Sequence, residues 1–176
     1  MPDDPSIGKS QKKMKDLQII NNKIFSREKL TMQSTVWKAE GKKIVFTNGC
    51  FDILHRGHLE ILSTAATFGD ILVVGMNADA SVKRLKGEQR PVNDEEFRLR
   101  MMASLAIVDA VCLFHEDTPL ELIKSFKPDV LVKGGDYTLS QIVGAEEVIQ
   151  YGGEVKIVPL VKGYSTSALI RAIQRL

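Results

Sequence analysis

Residues 47–58 read Thr47-Asn48-Gly49-Cys50-Phe51-Asp52-Ile53-Leu54-His55-Arg56-Gly57-His58, and the rest of the chain is best read outward from them. The stretch begins at the end of an apolar, β-rich run from Lys43. It crosses a loop that contains Gly49 and enters a helical pattern in which two histidines stand three residues apart. That spacing puts both imidazoles on one helix face. Gly57 leaves the backbone bare where a phosphate can approach, and a helix N-terminus adds unpaired N–H donors and a dipole that favours an anion. These features converge on a phosphate.

Downstream, short β-rich runs alternate with helical stretches. The runs are Lys43–Asn48, Asp70–Met76, Asp109–Phe114, Asp129–Lys133 and Glu154–Val158, each compatible with a buried strand. Thr118, Pro119 and Glu121 read as a capping box with proline at the first helical position. Asn93 reads as a cap before an acidic first turn, and Gly69 and Gly152 as helix stops. Such alternation predicts an α/β fold, a Rossmann-like parallel sheet with helices on both faces. Ligands in such sheets sit at the carboxyl ends of the strands where strand order reverses, which places the site after the first of these runs. Residues 1–23 read as a polar, mobile tail. Residues 24–41 read as a lead-in helix anchored by Leu30, Val36 and Trp37 and stopped at Gly41, and residues 42–176 as one catalytic domain.

At 176 residues the chain holds one well-buried core. Twenty-four basic and 22 acidic side chains give a formal charge of +2, without the basic excess of a nucleic-acid binder. No apolar run reaches the roughly 18–20 residues that span a bilayer, and no signal-peptide core opens the chain, so no membrane segment is expected. Cys50 and Cys112 lie in apolar runs and read as buried reduced thiols, in keeping with a cytoplasmic protein.

Isolated histidines are usually surface or capping residues, and a zinc site is a further reading of His55 and His58. Only His115 and the two cysteines remain as other ligands, which disfavours zinc, and no metal site is expected in the protein itself. Near the C-terminus, Gly163-Tyr164-Ser165-Thr166-Ser167 opens an apolar-periodic helix and offers hydroxyl caps. The segment 77–87 carries Lys83, Arg84 and Lys86. It reads either as a solvated face or as a seat for a phosphorylated co-substrate. Lys133-Gly134-Gly135-Asp136 leaves the fourth run. It serves either as a simple turn or as a close backbone approach, with Asp136 accepting a sugar hydroxyl.

The His55-Arg56-Gly57-His58 string resembles the HxGH motif of the nucleotidyltransferase superfamily, and Tyr164-Ser165-Thr166 resembles its Ile-Ser-Thr motif with tyrosine in place of isoleucine. More specifically, the blocks NGCFDILHRGH, GMNADASVKRLKGEQRPVN, DTPLELIKSFKPDVLVKGGDY and IVGAEEVIQYGGEVKIVPLVKGYST resemble the adenylyltransferase domain of bacterial ADP-heptose synthases, over residues 24–175. The resemblance implies an HxGH nucleotidyltransferase fold. It also implies synthesis of ADP-heptose and pyrophosphate from ATP and D-glycero-β-D-manno-heptose 1-phosphate for the lipopolysaccharide core, with Mg²⁺ carried by the ATP phosphates. His55, His58 and Lys83 take catalytic roles by this reading. Thr47, Asn48, Gly49, Phe51, Asp52, Gly57, Lys86, Arg98, Lys133, Gly135, Asp136, Ser165 and Thr166 bind nucleotide and substrate. Relatives are often fused to a sugar kinase, and the length here implies a separate kinase and phosphatase. A homo-oligomer, with the lead-in helix as contact, is in keeping with relatives. A cytidylyltransferase acting on glycerol 3-phosphate and a non-catalytic nucleotide-binding module share the same motifs and stay open.

Overall fold

A computed structural model describes residues 17–135, 137–161 and 163–175. The runs read from sequence become β2 (Ile44–Gly49), β3 (Ile71–Asn77), β4 (Ala110–Phe114), β5 (Val130–Gly134) and β6 (Glu154–Val158). A two-residue strand β1 (Ile24–Phe25) joins them, and the sheet order is β1-β4-β3-β2-β5-β6 with every pairing parallel. From β2 the chain steps outward through β3 to β4, then returns to the other side of β2 for β5 and β6. Strand order therefore reverses between β2 and β5.

Both faces of the sheet are covered, which explains strands that are apolar at successive positions. Ile44, Phe46, Val73 and Leu131 pack on one face with Leu30 of α2 (Arg27–Ala39), Leu122 and Phe126 of α6 (Leu120–Phe126) and Val148 of α7 (Ala145–Gln150). Val45, Leu72, Val74 and Val132 pack on the other with Leu62 and Ala65 of α3 (Arg56–Ala66) and Met102 of α5 (Glu95–Ala103). Three aspartates that precede strands fix how neighbours start. Asp70 accepts from Lys43 N at 2.8 Å, Asp129 from Ile44 N at 2.7 Å and Asp109 from Leu72 N at 2.8 Å, so each carboxylate satisfies a backbone donor at the entrance of the adjacent strand.

Several local expectations are corrected. Residues 1–16 lie outside the described residues, but 17–23 are not a loose tail: α1 (Gln18–Asn21) leads into β1, and Lys23 Nζ donates to the carbonyls of Leu105 (3.2 Å) and Val108 (2.7 Å). Pro119 is the N-cap of α6 rather than its first residue, and no side chain caps that helix. Asp94, not Asn93, caps α5, accepting from Phe97 N at 2.8 Å; Asn93 is drawn away to the loop after β2. Gly69 lies beyond the end of α3, whose C-cap is Thr67. It is small because a Cβ there would sit 2.6 Å from the Lys43 carbonyl oxygen. Cys50 is half-buried rather than buried. Among the described residues no helix is long and apolar enough to cross a membrane.

Candidate active site

At the reversal point, the carboxyl ends of β2 and β5 and the N-termini of α3 and α8 (Thr166–Ile173) open onto a cavity of about 650 Å³. Parallel strands splayed at such a point leave a crevice that the fold itself does not fill. Asn48 and Gly49 end β2 on one side, Lys133 and Gly134 end β5 on the other, and His55, His58, Ser165 and Thr166 form the floor between the helices.

His55 is the N-cap of α3, with extended backbone (φ −145°, ψ 170°), and its Nδ1 accepts from His58 N at 3.3 Å. A ring nitrogen that accepts carries no proton, so the neutral tautomer of His55 presents Nε2–H as its donor. The His58 ring stacks on it, centroids 3.8 Å apart and 16° from parallel, and meets Phe51 edge-on at 5.2 Å. Burial, reinforced by the neighbouring His55, pushes His58 down to about 4, and burial also lowers His55. Both imidazoles are therefore neutral near pH 7. His58 Nδ1 is buried and has no hydrogen-bond partner among the described residues. A buried polar atom without a partner costs stability and marks a position that a ligand or water can complete.

Gly57 is small for a local reason. A Cβ there would lie 3.1 Å from Cε1 and Nδ1 of His55 and 3.5 Å from Cβ of Tyr164. The absent side chain thus lets the His55 ring and the start of α8 close over the first turn of α3. Arg56 extends that contact, its guanidinium carbon 5.6 Å from the Tyr164 ring centroid. Ser165 caps α8 by accepting from Ala168 N at 3.1 Å, and Thr166 follows at the first helical position, so the N-termini of two helices meet beside the histidines. Such ends together form an anion-binding surface.

The loop after β2 is held from behind. Phe51 takes the left-handed conformation (φ 46°), uncommon for a side chain of its size, and is 7% exposed. The buried Asp52 carboxylate accepts from Arg90 Nε (2.6 Å), Val92 N (2.8 Å) and Asn93 N (2.9 Å), and Asn93 returns its amide to the Asp52 carbonyl at 2.6 Å. Burial works against the charge, but the Asn93 and Val92 N–H groups and Arg90 outweigh it and hold Asp52 below its ordinary range. Arg98, 1% exposed, donates to the carbonyls of Asn93, Cys50 and Asn77 and to Asp79 Oδ1 at 2.6–3.0 Å.

The sequence-based residues now sort by position. His55, His58, Asn48, Gly49, Phe51, Asp52, Gly57, Lys86, Lys133, Ser165 and Thr166 all line the cavity. Lys83 does not: it is exposed on α4 (Asp79–Lys86), outside the cavity wall, where one turn along the helix separates it from Lys86. Arg98 is spent on backbone carbonyls and Asp79, so it organises the loops instead of meeting phosphate. The Asp52 carboxylate is likewise consumed internally. Thr47 is buried in β2 and Gly135 (φ 135°) lies behind Gly134, neither at the wall; Asp136 lies outside the described residues. Arg90 is among the cavity residues to which sequence reasoning gave no role, and Tyr164 was read only as standing where the motif has isoleucine. Arg90 was legible only as one cation in a polar segment, because its Asp52 partner is 38 positions away. Among the described residues no three or more His, Cys, Asp or Glu gather as a metal site.

Comparison with known proteins bears on the family and the fold. A family model described as cytidylyltransferase-like matches residues 46–172. The chain is 51% identical over 153 residues to the bifunctional protein HldE of Trichlorobacter lovleyi, and 54% identical over 148 residues to that of Koribacter versatilis. These alignments cover 87% and 84% of this chain but 31% and 30% of those proteins, so the chain spans about a third of the curated relatives it matches. A solved structure, the lipopolysaccharide core biosynthesis protein from Thermoplasma volcanium, superposes with a TM-score of 0.56 at 35% identity, covering 71% of this chain and all of that one. Pantoate-beta-alanine ligase from Francisella tularensis, complexed with an ATP analogue and beta-alanine, superposes at 0.54 with 14% identity, covering 87% of this chain and 79% of that one, a likeness of fold.

Proposed function

The chain belongs to the cytidylyltransferase-like family of nucleotidyltransferases, and from that membership we propose that it is an adenylyltransferase that converts D-glycero-β-D-manno-heptose 1-phosphate and ATP to ADP-heptose and pyrophosphate. The observation that carries the reading is the neutral, stacked His55–His58 pair, with its unpartnered ring nitrogen, between two helix N-termini. The choice of heptose phosphate rests on the four sequence blocks, and a role in lipopolysaccharide assembly on those blocks and on the name of the Thermoplasma volcanium protein.

In this reading the sugar phosphate oxygen attacks the α-phosphorus of ATP in line, the bond to the bridging oxygen breaks, and pyrophosphate leaves. A phosphate nucleophile is ionised at neutral pH, so positioning and charge stabilisation dominate and no protein base is needed. His55 Nε2–H and His58 donate to phosphate oxygens as charge shifts toward the leaving group, and the α8 N-terminus with Ser165 and Thr166 holds the distal phosphates. Neutral imidazoles suit this work because they donate without titrating. Mg²⁺ fits as an ion brought by the triphosphate, since the Asp52 and Asp117 carboxylates at the cavity are engaged by Arg90 and Arg84; when bound it neutralises phosphate charge.

The test is Mg²⁺-dependent pyrophosphate release from ATP or CTP, each offered the heptose 1-phosphate or glycerol 3-phosphate. Turnover with ATP and the heptose phosphate alone is expected. Turnover with CTP and glycerol 3-phosphate would replace the assignment with a cytidylyltransferase, and silence in all four, with ATP bound, would replace it with a binding module.

A further inference from the structure

The cavity holds cations as well as the two histidines. Lys86, Arg90 and Lys133 all line it. Lys133 Nζ meets only the amide oxygen of Asn48 (3.3 Å), and Lys133 and Lys86 have no carboxylate partner among the described residues. Of the two carboxylates at the cavity, Asp117 is paired with Arg84 and Asp52 is saturated by Arg90 Nε and two backbone N–H groups. Among the described residues the cavity lining is therefore net positive.

Arg90 differs from the two lysines in being aimed. Asp52, with a side chain 1% exposed, grips the guanidinium edge at Nε, while Asn93 ties the same segment back to the Asp52 carbonyl. Held at Nε, the guanidinium keeps its two terminal nitrogens unpartnered among the described residues, and the side chain is still 17% exposed at the cavity. A planar fork fixed at one edge and open at the other matches the geometry of a phosphate monoester, which it engages through two parallel N–H donors.

We infer that Arg90 is the acceptor-phosphate ligand of this enzyme and that Asp52 is its positioning residue, holding the fork toward the cavity. The inference rests on the nucleotidyl-transfer reading for the identity of the phosphate, but the binding site itself does not depend on the sugar or on the base. By this inference the histidines and the two helix starts take the triphosphate, and Arg90 takes the acceptor dianion. Asp52, whose carboxylate is taken up by Arg90 and by the N–H groups of Val92 and Asn93, acts through Arg90 and the segment that carries it.

Steady-state kinetics of Arg90→Met, Arg90→Lys and Asp52→Asn with ATP and the sugar 1-phosphate test this. Arg90→Met should raise KM for the sugar phosphate about 10- to 100-fold, the loss of a charge-assisted bidentate contact, while KM for ATP stays within about threefold. Arg90→Lys should recover only part of that loss, and Asp52→Asn should move the same KM in the same direction. Equal rises in both KM values, or full recovery by lysine, would overturn the inference. Titration with inorganic phosphate followed by ³¹P NMR keeps the test separate from the choice of substrate. Arg90→Met should abolish a binding event that His55→Asn retains, even if no sugar phosphate turns over. Unchanged phosphate binding in Arg90→Met would overturn the site whatever the reaction proves to be.

Discussion

The imidazoles of His55 and His58 stack at 3.8 Å with the Nδ1 of the first accepting the backbone N–H of the second. The helix cap and the ring pair are thus one unit, and a proton added to either ring is disfavoured. In the unfolded chain His58 titrates near 6.5, whereas in the folded protein it titrates at about 4. Between those values the unfolded state binds more protons, so stability is complete above about pH 6.5 and falls as the pH drops toward 4. The loss is about 2–3 kcal/mol and is read by urea unfolding at pH 7 and pH 4.5; His58→Gln should flatten the difference. With His58 titrating at about 4, its protonation should not limit turnover between pH 8 and about 6.

Replacing either histidine separates capping from catalysis. His55→Asn keeps a side-chain acceptor for the helix start and should fold with near-normal stability, yet lose at least about 10² in kcat with the ring donor gone. His58→Ala should lose a similar factor. Near-normal turnover in both would sink the role assigned to the pair.

Gly57→Ala should weaken catalysis without removing any functional group. The new methyl would lie 3.1 Å from the His55 ring and 3.5 Å from Tyr164 Cβ, so the ring must shift by a few tenths of an ångström or the two helix starts must part. A loss of about tenfold in kcat, with the melting temperature nearly unchanged, is the outcome to look for.

Arg98→Met should unfold the site before it slows the chemistry. The guanidinium holds three backbone carbonyls and the Asp79 carboxylate, and its removal strands them, at about 3–5 kcal/mol. Chemical denaturation measures this directly. Lys83→Ala, on the exposed side of α4, should leave both stability and turnover within about threefold of the parent.

The elements that obey a local rule were legible in the sequence. Five strands announced themselves as apolar runs, four of them opened by aspartate or lysine and the fifth by Glu154, and the two helix starts at the cavity by His55-Arg56-Gly57-His58 and Ser165-Thr166. What escaped was set by contacts far apart in the chain. Strand β1 has two residues and exists because Val111 and Cys112 offer an open edge. Asp52 looked like a ligand because it stands within the phosphate motif, and Arg98 because it is a cation that could neutralise phosphate; only the fold reveals that their partners lie within the protein. Lys83 and Lys86 stand one turn apart on the same side of α4, and which of them reaches the cavity depends on how the end of that helix docks, which a cluster of charges does not fix.

Phe51 offers a last consequence. A bulky residue at φ 46° persists only where its surroundings over-determine it, and here its buried ring is pressed against His58 and the face of Gly49. The backbone after β2 is consequently committed to a single path before anything enters the cavity. Ligand association then has little loop ordering to drive, and its heat-capacity change should follow the surface it covers instead of a folding event.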